Sequence, residues 1–174
     1  MDRPPTYAPA DCIAALAANR VVLASMLETV DPRIVQWRPT PAEWSILEIV
    51  NHLADKDQHD FRARIEYILS GATGEWPHIN PEAWVVTNDY AARDYHESVS
   101  DALRVRDTSL DWLRSLHAPA WERTYAHPRG PLSAQTMLAN WVAHDYLHMR
   151  QLSRRFHAAL RRAVGDPLPY AGRW

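Results

Sequence analysis

The sequence predicts an all-α fold, a four-helix bundle with long crossover connections, and three observations carry that prediction. Four long segments repeat their apolar residues at the helical period, no segment alternates in the manner of a strand, and Pro, Gly and Asn punctuate the intervals. The 174 residues are 47% hydrophobic, enough for one buried core, so residues 1–174 read as a single domain.

The first helix starts near Pro9 or Ala10, where a first-turn proline is tolerated, and carries Ile13, Leu16, Ala17, Val21, Ala24 and Leu27 until Asp31-Pro32 stops it. Two capping-box patterns precede the second helix, Thr40-Pro41-Ala42-Glu43 and Ser45-Ile46-Leu47-Glu48, and Ser45 is the preferred cap. Its stripe of Ile46, Val50, Leu53, Phe61, Ile65 and Ile68 runs unbroken to Ser70-Gly71, where a glycine suits the residue past a helix end. Residues 71–97 form a long connection with a short helix around Glu82 to Tyr95, of a length that usually covers or serves a site. The third helix begins at Ser98, carries Ala102, Leu103, Leu110, Leu113 and Leu116, and is closed by Pro119. Trp121 to Leu132 is a second connection, after which Ser133 caps a fourth helix that runs to about Leu160. The tail after about residue 160 reads as irregular, above all beyond Gly165-Asp166-Pro167.

Composition excludes several classes of function. The formal charge is -2, Lys56 is the only lysine, and the arginines are spread along the chain, so nothing asks for nucleic acid or an anionic membrane. Met1-Asp2-Arg3-Pro4-Pro5 lacks the layout of a signal peptide, and no apolar run approaches the roughly 18 residues of a membrane span. A cytoplasmic protein acting on a small molecule is the expectation. A single cysteine, Cys12, allows no internal disulfide and reads as a packing residue. The chain lacks a Gly-x-Ser-x-Gly elbow, a Gly-x-x-x-x-Gly-Lys segment and a Gly-x-Gly-x-x-Gly turn, so covalent catalysis and nucleotide binding have no sequence support.

Three histidines carry the chemistry. His144 and His148 stand four apart, one above the other on a helix face, and can offer two imidazoles to one metal ion. On the helical wheel His148 falls among Met137, Leu138, Trp141, Leu152 and Phe156, with His144 at the edge of that arc. His52, beside Ile49 and Lys56 at the flank of its helix's core face, is the candidate third ligand. The plainer reading of each histidine is a packing residue satisfied by one hydrogen bond. Asp145 and Asp57 also land on apolar arcs, where an acid is costly unless partnered. Asp145 or Asp55 could accept the outer ring N–H of a ligand histidine, and the alternative is a buried ion pair with an arginine such as Arg20 or Arg64. His59, His96, His117, His127 and His157 read as exposed, while His78 or His127 could line a cleft mouth and Trp44, Trp76 or Trp121 could wall a pocket. Arg123, Arg129 and Arg150 are possible carboxylate clamps or plain solvated surface.

Three motifs in order, Trp44-Ser45 leading to Glu48 and His52-Leu53-Ala54-Asp55, then Trp121-Glu122-Arg123 to Gly130-Pro131-Leu132-Ser133, then His144-Asp145-x-x-His148-x-x-Gln151, resemble the DinB-like (YfiT-like) metalloprotein superfamily of bacterial four-helix bundles. The resemblance covers most of the chain. It implies a divalent metal, zinc or nickel, on His52, His144 and His148, and a homodimer. It also implies a transferase or isomerase that uses a low-molecular-weight thiol such as bacillithiol or mycothiol, so a metal-dependent S-transferase or related detoxifying enzyme is the expected function. A noncatalytic metal- or ligand-binding bundle and a metal-dependent hydrolase are the alternatives. No catalytic or thiol-binding residue is legible. Because ligating imidazoles are neutral, metal affinity is expected to fall below about pH 6.5.

Overall fold

The computed structural model describes residues 7–76, 78–128 and 130–174. Its helices are α1 (Pro9–Glu28), α2 (Ile46–Lys56), α3 (Ala63–Ser70), α4 (Pro81–Thr87), α5 (Tyr95–Ser115) and α6 (Ala134–Val164). Ser45 caps α2 as expected: its Oγ accepts from the Glu48 N–H while Glu48 returns the bond to the Ser45 N–H at 2.8 Å. Gly71 ends α3 at φ 74°, and Gly165 ends α6 at φ 72°, one turn beyond the expected Leu160.

Between α2 and α3 the predicted unbroken helix is not α-helical throughout. Asp57–Arg62 is a π-helical stretch, which inserts the equivalent of an extra residue and rotates the lower half of the rod relative to the upper. That rotation lets Ile46, Val50 and Leu53 above it and Phe61, Ile65 and Ile68 below it all reach the interior.

α5 starts one turn before the predicted Ser98. Asp94 is the cap, accepting from the Glu97 N–H at 2.9 Å, while Ser98 is buried inside the helix, where its hydroxyl accepts from Asn51. The predicted helix around Glu82 to Tyr95 is shorter, ending at Thr87, with a separate 3-10 turn at Tyr90–Ala92. A further correction concerns strands: β1 (Thr124–His127) pairs antiparallel with β2 (Gly130–Ser133) in the second connection. Four-residue strands, one containing Gly130-Pro131, are too short to alternate visibly. Tyr125 docks the hairpin, with its ring 4.2 Å from that of Trp76 and its hydroxyl accepting from the Trp76 N–H.

Side-chain contacts fix the helix directions. Tyr95 Oη donates to the Leu27 carbonyl and Arg106 reaches that of Leu16, so α5 runs antiparallel to α1. Gln135 meets Tyr7 and Asn19 meets Asp145, so α6 runs parallel to α1. The α2–α3 rod is parallel to α5, through Asn51–Ser98 and Asp57–Arg106, and antiparallel to α6. It packs on α5 and α6 from the corner opposite α1. Among the described residues α1 alone passes for a membrane span by length and hydropathy, contrary to the sequence expectation, yet Cys12, Leu16, Asn19, Leu23 and Leu27 seat it in the bundle.

The core is divided in two along the bundle axis. One part gathers Leu16, Phe61, Ile65, Leu110, Leu138 and Trp141, the other Leu23, Ile49, Val50, Leu53, Val99 and Leu152. A polar layer separates them, one residue from each helical rod: Asn19, Asp57, Arg106 and Asp145, all buried. Arg106 holds Asp57 through Nε at 2.5 Å and Asp145 through Nη2 at 2.7 Å, Trp141 Nε1 donates to Asp57 at 2.6 Å, and Asn19 donates to Asp145 at 3.1 Å. Charges at this depth persist only when paired and fully hydrogen-bonded, and these are. Arg106, and not Arg20 or Arg64 as expected, is therefore the partner of both acids. Arg20 and Arg64 pair instead with Asp107 and Asp60.

Candidate metal centre and its cleft

The layer places the histidines. Asp145 faces inward from α6, so its neighbours His144 and His148 project beside it toward α2, where His52 lies a little more than one turn before Asp57. One ligand atom from each of His52, His144 and His148 lies within 4.8 Å of the others. The ring centroids are 4.4, 4.9 and 5.4 Å apart. His52 and His148 are only 5% and 4% exposed, so His52 is more enclosed than a flank position implied. Trp44 and Phe61 brace the triad: Trp44 lies 4.7 Å from His52 and parallel to His148, and Phe61 meets His144 edge-on at 5.0 Å.

Burial holds the imidazoles neutral. It is the main reason His52 drops to about 3 and His144 to about 2, with repulsion from His148 and Lys56 adding to it. Burial lowers His148 too, against the opposing influence of Gln151 and Asp145. The expectation that protons displace a metal from pH 6.5 downward is accordingly revised, because the folded site resists protonation well below that value.

The donor set fits a divalent cation. Gln151 Oε1 can only accept, so His148 Nδ1–H donates to it at 2.7 Å, and His148 Nε2 is left with a lone pair 3.1 Å from His144 Nε2. His52 Nδ1 and His144 Nδ1 are buried without a hydrogen-bond partner among the described residues. Converging neutral imidazoles with unsatisfied nitrogens suit a metal of the zinc or nickel class. They do not suit a packed core.

Gln151, the last residue of the His144-Asp145-x-x-His148-x-x-Gln151 motif, is the residue that orients a candidate ligand. Asp55 and Asp145, considered for that task, hydrogen-bond elsewhere: Asp55 accepts from Asn88 and Tyr90, and Asp145 from Arg106 and Asn19. The signal for Gln151 was its i, i+3 spacing from His148.

The triad opens on a cleft of about 700 Å³ walled by Trp44, Lys56, Leu147, Arg150 and Arg154, with Ile79 to Glu82 at the start of α4 along one side. His78, His127, Trp76 and Trp121 are not among its walls. Arg150 is, whereas Arg123 bonds the Leu69 carbonyl and Arg129 lies outside the described residues. His59, His96 and His117 are exposed as expected, but His127 and His157 are half-buried, His157 stacking on Trp174 at 4.4 Å.

The family profile described as the DinB superfamily matches residues 15–152. Among solved structures the chain is similar to one described as "YfiT from Bacillus subtilis is a probable metal-dependent hydrolase with an unusual four-helix bundle topology". The TM-score is 0.74 and the identity 18%, over 95% of this chain and 94% of that one, a likeness of fold. No curated protein matches the chain.

Proposed function

Because the chain belongs to the DinB superfamily, we propose that it is a divalent-metal-dependent enzyme that activates a small nucleophile against an electrophile held in the cleft. The nucleophile in the leading reading is a low-molecular-weight thiol. The carrying observation is the triad itself: three imidazoles held neutral by burial, His52 and His144 each with an unsatisfied nitrogen, lining an open cleft. A zinc or nickel ion bound there would supply the positive charge that lowers the pKa of a thiol or water.

The chain's own residues do the rest. Gln151 fixes the tautomer and orientation of His148. Trp44 and Phe61 limit ring rotation and exclude water from one side of the imidazoles. The cleft volume lies in the upper half of the range for small-molecule sites, which leaves room for a thiol beside its acceptor. Hydrolysis is the second reading, favoured by the likeness to YfiT, described as a probable metal-dependent hydrolase.

Metal content and turnover test the proposal together. Expected are near one divalent ion per native chain, its loss in His52→Ala and His148→Ala, and metal-dependent consumption of monobromobimane that rises with added thiol. Metal-dependent cleavage of ester substrates without thiol would select hydrolysis. Failure of the native chain to hold zinc or nickel would overturn both.

A further inference from the structure

The uncompensated charge of the cleft points to a class of substrate. Four basic side chains line it, and two are already engaged. Arg155 is buried and structural, donating through Nε to the Trp44 carbonyl at 2.7 Å and through Nη1 to Glu43 at 2.6 Å, which also neutralises Glu43. Lys56 is paired with Asp60. Arg150 and Arg154 remain, with no ion pair among the described residues, and of the wall carboxylates among those residues only Glu82 is equally unpaired.

These two guanidiniums stand at i, i+4 on α6, about 6 Å apart along the axis, so both look into the same space. Like charges at that spacing destabilise a helix slightly unless an anion lies between them. They begin just beyond His148 and extend roughly 3 to 9 Å further along the helix. Trp44 and Leu147 offer an apolar surface beside them, and Leu147 is 48% exposed. The whole chain carries a formal charge of -2, so a cationic cleft is a local feature and not a consequence of overall basicity.

We propose that the cleft selects an anionic organic substrate, its acid group held by Arg150 and Arg154 and its apolar body laid on Trp44 and Leu147, with the reacting group at the histidine end. Paired guanidiniums suit a carboxylate or dicarboxylate through charge-assisted, bidentate hydrogen bonds. The assignment extends the functional reading above by naming what that site would act on, and its test is independent of the metal.

Metal-free protein, dialysed against a chelator, is titrated calorimetrically with phthalate and with its neutral counterpart phthalamide. Expected is binding of phthalate at least tenfold tighter than phthalamide, a preference weakened by salt. In the Arg150→Gln/Arg154→Gln double variant the preference should fall at least tenfold, and Arg150→Lys/Arg154→Lys should restore part of it. Both positions are exposed, and a matching melting temperature confirms that the double variant folds. Equal binding of the two probes, no binding of either, or a preference that survives in the double variant would overturn the assignment. A phthalate preference in a chain that fails to hold metal would leave the anion site standing and remove the metal-enzyme reading alone.

Discussion

At the scale of single residues, the site depends on groups that surround the ligands as much as on the ligands themselves. Gln151 holds His148 by one 2.7 Å hydrogen bond, and such partners typically contribute ten- to hundredfold to metal affinity. Gln151→Leu is therefore expected to weaken zinc binding by about that factor in competition with a chromophoric chelator. Unchanged affinity would remove the orienting role. Arg106 is the other decisive residue, since it neutralises two buried carboxylates that no other cation among the described residues reaches. Burial raises the Asp57 carboxyl even against the adjacent guanidinium, whereas Arg106, for which burial is the largest opposing influence, is held protonated by Asp57 and Asp145. Arg106→Met strands both acids and is expected to cost about 3–5 kcal/mol in urea unfolding. A loss below about 1 kcal/mol, the size of an exposed pair, would show that water enters the layer.

At the scale of elements, the π-helical stretch sets the angular relation between the half of the rod that carries His52 and Lys56 and the half that carries Phe61, Ile65 and Ile68. Deleting the exposed Gln58 should close the stretch to an α-helix and turn one half about 100° relative to the other. Either the triad or the lower core then loses alignment. The expected outcome is loss of zinc stoichiometry or of cooperative thermal unfolding, read by metal analysis and circular dichroism. A deletion variant that keeps both would mean that the rod tolerates either register. The capping box at Ser45 acts on the same element from its other end, fixing where α2 begins and so where Trp44 meets His52 and His148.

At the scale of the whole molecule, the polar layer and the triad couple stability to pH. An unfolded chain takes up protons on these histidines near 6.5, while the folded chain holds His52 neutral to about 3 and His144 to about 2. Between those values the unfolded state binds more protons, so folding stability is complete above pH 6.5 and declines as pH falls below it. Metal-free protein should show a falling urea midpoint from pH 6.5 to 5, above the range where ordinary carboxylates titrate. His52→Ala/His144→Ala should flatten that slope, and an equally steep slope in the variant would assign it to other groups. Metal-loaded protein should keep its ion through this window for as long as it remains folded, because His52 and His144 do not protonate there.

The sequence by itself determined the class of fold, the Ser45 and Ser133 caps, the Gly71 termination and the three histidines. Each is written in spacing along a single helix, where period and capping chemistry act over four residues or fewer. It also marked Asp57 and Asp145 as acids needing partners. Tertiary structure decided the rest. Arg106 became their partner because three rods meet at one level of the core, a coincidence that no single helix pattern contains. The α1–α5–α6 arrangement, the π-helical rotation and the short hairpin likewise depend on which face meets which neighbour. So does the cleft, whose walls come from residues distant in the chain, because local periodicity sets where a side chain points and only packing sets what it meets.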